Sequence, residues 1–74
     1  PENLMLSDEI RREVVLALQE LPEELRTAIT LREIDGLSYE EIAEVMECPV
    51  GTVRSRIFRA RETIDKRIQP FLQR

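Results

Sequence analysis

The chain has 74 residues, with 15 Asp and Glu against 11 Lys and Arg, no His and a single cysteine, Cys48. This length allows one small domain with a thin core, and the Cys and His counts exclude an internal disulfide, a zinc site and most nucleophile–base pairs. No apolar run approaches the ~18 residues of a membrane span and no signal-peptide pattern is present, so we expect a cytoplasmic protein. Because the chain begins at Pro1 rather than Met, we expect it to be a piece of a longer protein.

Two amphipathic helices are predicted in the first half of the chain. Residues 1–6 are predicted to end a linker, Ser7 to cap the first helix, and Pro22 to stop it because proline lacks an amide hydrogen. The apolar face of this helix comprises Ile10, Val14, Ala17, Leu18 and Leu21, widened by Val15 and Leu16. Pro22 also suits the first position of the second helix, and Gly36 suits a left-handed stop. The apolar residues of the second helix are Leu25, Ala28, Ile29 and Leu31.

Two further helices are predicted in the second half. Ser38 and Glu41 form a capping-box pattern at the start of a short third helix, whose inward-facing residues are expected to be Ile42, Ala43, Val45 and Met46. A fourth helix is predicted over Val50–Ile68, followed by Pro70 and a short tail. Its apolar stripe is Val53, Ile57, Ala60, Ile64 and Ile68, and its opposite face carries Arg54, Ser55, Phe58, Arg59 and Glu62. No segment has the period of a strand, so the predicted fold class is all-α, in four helices.

The last two helices have the spacing of a helix-turn-helix over residues 38–68, in which a short positioning helix and a tight turn precede a longer recognition helix. Val53 and Ile57 are expected to fill the angle between the two helices. Gly51 and Thr52 open the recognition helix, where free backbone amides favour a phosphate. The alternative is an ordinary helical hairpin that happens to carry a capping box.

Basic charge is concentrated on the fourth helix. Residues 1–49 have a net charge of −9, whereas residues 50–74 have a net charge of +5. Phe58 lies among arginines on the face predicted to be wet, and an exposed large aromatic points to a partner surface. A helix with a cationic outer face fits the major groove of DNA. These features favour DNA binding over the alternative that the arginines only solvate a terminal helix.

Three stretches of the sequence, Leu21–Arg26, Gly36–Ala43 and Gly51–Arg61, resemble region 4 of bacterial sigma factors. The resemblance extends over Leu4–Leu72 and is closest to the extracytoplasmic-function group, within it to the envelope-stress sigma-E factors. It implies that residues 7–74 are a C-terminal sigma domain that recognises the −35 promoter element and directs transcription initiation on core RNA polymerase. It also implies that the first three helices receive the flap-tip helix of the polymerase β subunit, and that an anti-sigma factor covers the same surfaces.

Helix geometry and the resemblance together suggest roles for individual residues. The residues expected to read bases are Arg54, Ser55, Phe58 and Arg59, since a guanidinium fork matches guanine and a phenyl ring can pack on a thymine methyl. The residues expected to contact the DNA backbone are Arg32, Tyr39, Thr52, Arg56 and Arg61. For Arg56 and Arg61 a salt bridge to the acidic helices is equally open, and for Tyr39 the alternative is a plain surface role. No cofactor or metal is expected, and Cys48 is expected to pack in the turn.

Three other functions are weighed against the sigma domain. A response-regulator effector domain shares the four-helix layout but tends to pair, whereas the sigma domain is expected to be monomeric on its own. A protein-interaction module that never touches DNA is the second alternative, and for it the loss of Phe58 should leave DNA affinity unchanged. An enzyme is the least expected class, because the sequence has no His and no clustered acid and nucleophile.

Overall fold

The computed structural model describes the backbone of residues 2–72 and the side chains of residues 8–72. It contains four helices, α1 (Glu2–Glu20), α2 (Glu23–Glu33), α3 (Tyr39–Met46) and α4 (Val50–Leu72), and no strand among the residues described. The prediction of an all-α fold with four helices is therefore confirmed. The longest helix, α4, packs against each of the other three. These three contacts together determine which face of α4 remains exposed.

The corner between α3 and α4 is held by a compact apolar cluster. Its buried members come from three helices and are Ala28, Ile42, Val53 and Ile57. Each of them exposes 2 % or less of its surface, and full burial of one such aliphatic side chain is favourable by about 1.5–3 kcal/mol. Because Val53 and Ile57 lie on one stripe of α4, their burial turns the opposite side of that helix outward. This is the helix-turn-helix packing predicted from the sequence.

A second cluster fastens the middle of α4 to the junction of α1 and α2. Its buried members are Leu21, Ile29 and Ala60, and Leu18, Leu25 and Ile64 pack against them. Ala60 is completely buried, so its small side chain allows α4 to approach its neighbours closely. The two clusters together contain Val53, Ile57, Ala60 and Ile64 of the apolar stripe predicted for the fourth helix, whereas Ile68 is half-buried outside both clusters.

The helix ends follow their local sequence signals. The Ser38 hydroxyl accepts a hydrogen bond from the Glu41 amide at 3.1 Å, and the Glu41 carboxylate accepts one from the Ser38 amide at 2.8 Å, which completes the predicted capping box. Gly36 has a φ of +72° beyond the end of α2. The Leu37 amide there donates to the Leu31 carbonyl at 3.0 Å. Pro22 occupies the N-cap position of α2, so the helix begins at Glu23, one residue later than predicted.

The turn between α3 and α4 uses a left-handed residue that is not glycine. Glu47 has a φ of 53° and a ψ of 53°, and its amide donates to the carbonyls of Ala43 and Glu44. A side chain in this conformation costs roughly 1–2 kcal/mol. Cys48 packs against the α3–α4 cluster, as expected, and its amide donates to the Ala43 carbonyl at 3.1 Å. These contacts hold the turn and start α4 at Val50, where it was predicted.

Both ends of the described chain are more helical than predicted. Residues 2–6, expected to end a linker, are continuous with α1, so Ser7 lies inside the helix and does not cap it. No Gly or Pro interrupts residues 2–7, and Glu, Leu and Met are favourable in helices. At the other end α4 continues through Pro70 to Leu72. A proline removes only one backbone hydrogen bond of the helix, and so close to the helix end this loss does not stop it. Pro1 and residues 73–74 lie outside the described residues.

Three apolar residues that were expected to face inward are exposed instead. Val15 and Leu16 expose 47 % and 42 % of their surfaces, and Val45 exposes 58 %. Val45 lies about 110° around α3 from the centre of the face that packs inward. Leu16 lies about 100° and Val15 about 160° around α1 from the buried Ala17. In a domain this small each peripheral helix is covered on one side only, so its apolar face is narrower than predicted.

Candidate nucleic-acid interface

The four residues predicted to read bases lie on one exposed face of α4. Arg54, Ser55, Phe58 and Arg59 are all exposed, on the side opposite the buried stripe. Phe58 exposes 66 % of its surface, which is unusual for a phenyl ring. Two arginines, Arg54 and Arg59, are close to it in sequence. We call these four residues the reading face. Their role in base reading stays a prediction, but the structure brings them together on one exposed side of α4.

The first turn of α4 contains Gly51, which has no side chain, and Thr52, which carries a hydroxyl. The amides of Thr52 and Val53 donate to the Pro49 carbonyl at 3.0 and 3.2 Å. The Thr52 amide is therefore not free for a phosphate, contrary to expectation, and Thr52 offers its hydroxyl instead. A Cβ built on Gly51 would meet nothing within 4 Å. The glycine is thus not required by packing inside the chain, and its lack of a side chain leaves room for a surface approaching from outside.

A shallow groove runs between the N-termini of α2 and α4. On the α4 side it is lined by Gly51, Thr52, Ser55, Arg56 and Arg59, and on the other side by Pro22, Glu24 and Leu25. Two helix N-termini carry partial positive charge, and the two arginines add full charges. Glu24 places a carboxylate on the α2 side, so it is the α4 side of the groove that suits a phosphate strand lying beside the reading face.

Arg32 and Tyr39 form a stack beside the reading face. The Arg32 guanidinium carbon lies 4.9 Å from the centroid of the Tyr39 ring, and its Nη1 donates to the Leu37 carbonyl at 2.9 Å. The Arg54 guanidinium carbon lies 5.7 Å from the same centroid. Tyr39 is partly buried, and its ring packs against the α3–α4 cluster. The plain surface role considered for Tyr39 is therefore too simple, because its ring joins two cations from different helices.

The two arginines that flank the apolar stripe have different partners. Arg61 forms an ion pair with Glu33 of α2, and its Nε donates to that carboxylate at 3.1 Å. The hydrogen bond to Glu33 raises the pKa of the Arg61 guanidinium. Arg56 places Nη1 3.8 Å from the Cys48 Sγ in the turn. For Arg61 the structure shows the salt bridge that the sequence left open, and contact with a phosphate would have to compete with Glu33 or use the remaining nitrogen, Nη1.

Sequence reasoning missed Arg67, which ties the far end of α4 to α1. Its Nε donates to Glu13 at 2.8 Å and its Nη1 donates to Glu20 at 2.7 Å. The hydrogen bonds that Arg67 donates to Glu20 and Glu13 raise the pKa of its guanidinium. Both partners are about fifty residues away along the chain, so no local pattern announces the pairing. Because Arg67 is paired with these two carboxylates, its charge is not part of the free positive charge that α4 could offer to DNA.

An apolar cleft lies away from the reading face, where α1, α2 and α4 meet. It is lined by Val14, Leu18, Ile29, Thr30, Glu33, Ile34 and Ile64. Ile34, the residue after α2, exposes 71 % of its surface at the edge of this cleft. An isoleucine this exposed, beside a concave apolar surface, is a typical feature of an interaction site.

The described residues contain no group of His, Cys, Asp or Glu placed to hold a metal ion. None of the helices described here is both long and apolar enough to cross a membrane.

Comparison with known proteins gives a consistent family. A family model described as "Sigma-70, region 4" matches residues 11–64. The chain is 69 % identical over 74 residues to the ECF RNA polymerase sigma-E factors of Escherichia coli and Salmonella typhimurium, covering all of this chain and 39 % of each relative. It is 68 % identical over 73 residues to the RNA polymerase sigma-H factor of Pseudomonas aeruginosa, covering 99 % of this chain and 38 % of that protein. The chain thus spans about two fifths of the length of these relatives.

Proposed function

Because the chain belongs to the sigma-70 region 4 family, we propose that it is the promoter-recognition domain of a bacterial sigma factor. In this proposal the reading face of α4 enters the major groove of the −35 element and reads its bases, in the cytoplasm, as part of transcription initiation. The polymerase supplies the chemistry, and we expect no catalytic reaction from this domain. Among DNA-binding alternatives, the match to region 4 favours a sigma domain over a response-regulator effector domain.

The observation that carries the proposal is the exposure of Phe58 between Arg54 and Arg59 on α4. An apolar ring held in water gains from contact with sugar edges or a thymine methyl group. Each neighbouring guanidinium can donate two hydrogen bonds to a guanine edge. A helix that is buried on one side and carries this set on the other has the shape and chemistry of a recognition helix.

The proposal predicts sequence-dependent and salt-dependent binding by the chain itself. Two duplexes serve as probes: the one that the wild-type chain enriches from a random-sequence pool (the selected duplex) and one of the same composition in scrambled order (the scrambled duplex). Affinities are measured by fluorescence anisotropy over a range of salt concentrations. We expect tighter binding to the selected duplex, and a log–log salt slope of roughly −2 to −4, since each neutralised phosphate contributes about −0.9. Equal affinity for both duplexes at every salt concentration would refute base reading.

We further propose that the apolar cleft at the junction of α1, α2 and α4 receives the flap-tip helix of the polymerase β subunit. Support comes from the exposure of Ile34 (71 %) at its edge and from its position away from the reading face, which leaves α4 accessible to DNA. An amphipathic helix laid into an apolar groove is a common mode of peptide recognition. An anti-sigma factor that occupies the same cleft would compete with the polymerase for this domain.

The Ile34→Glu variant tests the cleft. A carboxylate at its edge should weaken binding of a β flap-tip peptide roughly 10- to 100-fold, because an isoleucine contributes about 1.5–3 kcal/mol on burial. The matched control is Val15→Glu, which places the same charge on an exposed apolar position of α1 outside the cleft. Equal losses in the two variants would remove the cleft as the docking site. An anti-sigma factor that uses the same surface should lose affinity for Ile34→Glu in parallel.

A further inference from the structure

Two arginines from different helices meet at one tyrosine ring. Arg32 lies in the last turn of α2, Tyr39 is the first residue of α3, and Arg54 lies in the second turn of α4. The guanidinium carbons of the two arginines are 4.9 and 5.7 Å from the ring centroid. Both distances are within the ~6 Å range in which an aromatic face attracts a cation. The ring is therefore within cation–π range of Arg54, one residue of the reading face.

We propose that Tyr39 is a positioning residue for Arg54. Its ring holds the Arg54 guanidinium in place before DNA arrives, so that the arginine enters the major groove in the orientation that its base contact needs. This inference rests on the proposed function and deepens it, because it explains how one base-reading side chain becomes ordered. The contact that matters is made by the face of the ring, and the tyrosine hydroxyl is not needed for it.

The ring is well anchored for this task. It packs against the buried cluster between α3 and α4, so it cannot swing away without losing apolar contact. Arg32 is fixed in turn by its hydrogen bond of 2.9 Å to the Leu37 carbonyl, immediately before the cap of α3. The first turn of α3 is held by the capping box of Ser38 and Glu41. The position of Arg54 is thus linked through Tyr39 to the end of α2 and the start of α3.

Ordering a long side chain in advance matters for affinity. An arginine side chain loses rotamer freedom when it is fixed, and a contact already present in the free protein reduces that loss on binding. Arg59 provides the comparison, because the described part of the chain shows no ring, carboxylate or carbonyl in contact with its guanidinium. The two arginines of the reading face therefore differ in preorganisation, and Tyr39 accounts for the difference.

The test is a double-mutant cycle on the preference for the selected over the scrambled duplex. Tyr39→Leu keeps an apolar side chain against the core but removes the aromatic face, and it should reduce the preference about 2- to 5-fold. In the Arg54→Ala background the same change should have no further effect. In the Arg59→Ala background it should reduce the preference by the same factor as in the wild type. Tyr39→Phe, which retains the ring and lacks the hydroxyl, should have the same preference as the wild type.

A second readout needs no DNA. In the free protein, ring-current shifts of the Arg54 side-chain protons should be present in the wild type and in Tyr39→Phe, and absent in Tyr39→Leu. The Arg59 protons should not move. Persistence of the Arg54 shifts in Tyr39→Leu would overturn the inference, as would equal losses of preference in Tyr39→Phe and Tyr39→Leu. If the wild type showed no preference between the duplexes, the proposed function would fail, and the ring-current shifts would still decide whether Tyr39 positions Arg54.

Discussion

Ile57→Ala is expected to lower the free energy of unfolding by about 2–5 kcal/mol. Ile57 exposes 2 % of its surface and lies in the cluster shared by α2, α3 and α4. Truncation leaves a cavity at the point where all three helices meet, and each of the surrounding side chains loses contacts. A domain of this size has a total stability of roughly 4–11 kcal/mol, so the variant is expected to be near the limit of folding. Urea unfolding followed by circular dichroism measures the change.

Ile34→Ala is the matched control, because it makes the same chemical change at an isoleucine that is 71 % exposed. It should change the free energy of unfolding by no more than about 0.5 kcal/mol. Similar losses in the two variants would show that the α3–α4 corner is not the centre of stability described here.

Arg54→Ala and Arg59→Ala should each weaken binding to the selected duplex by about 1–3 kcal/mol. Both side chains are exposed, so the fold should not change. The loss should be smaller on the scrambled duplex, because only the contribution of the general positive charge is removed there. Arg12→Ala is the charge-matched control, since it removes an exposed arginine from α1. A loss of equal size on both duplexes would exclude Arg54 or Arg59 from base reading.

Phe58→Ala should also weaken binding to the selected duplex, but its salt slope should equal that of the wild type because no charge is removed. Arg61→Ala should weaken binding to both duplexes by a similar factor, and should reduce the salt slope, if Arg61 contacts only phosphate. The ion pair with Glu33 makes a second result informative. If Arg61 pairs only with Glu33 in the complex and contacts no phosphate, its removal should leave affinity and salt slope nearly unchanged. Unchanged DNA affinity in Phe58→Ala would favour a surface for protein partners instead.

Most of the helix-turn-helix could be predicted from sequence because its signals are local. The Ser38 and Glu41 capping box, the positive φ of Gly36 and the apolar stripe of α4 each depend on residues within a few positions of one another. The reading face follows from the same periodicity, because residues opposite a buried stripe must be exposed. Glu47 is different, since a glutamate carries no signal for a left-handed backbone and only the packing of the turn imposes it.

The contacts between helices could not be predicted in the same way. Arg67 pairs with Glu13 and Glu20, and Arg61 with Glu33, across sequence separations that no periodicity encodes. The stack of Arg32 and Arg54 on Tyr39 depends on the angle between α3 and α4 and on the close approach of α2. Charge counts alone overstated the free positive surface of α4, because two of its arginines are paired with carboxylates of α1 and α2.

Methylation interference on the selected duplex tests the central claim most directly, which is that α4 reads bases in the major groove. Dimethyl sulfate modifies N7 of guanine in the major groove and N3 of adenine in the minor groove, and N7 is an acceptor that an arginine fork uses. We predict that duplexes methylated at particular guanine N7 positions are depleted from the bound fraction of the wild-type chain, and that Arg54→Ala or Arg59→Ala removes the interference at one of them. Interference confined to adenine N3, or an even pattern along the duplex, would contradict major-groove reading by this helix.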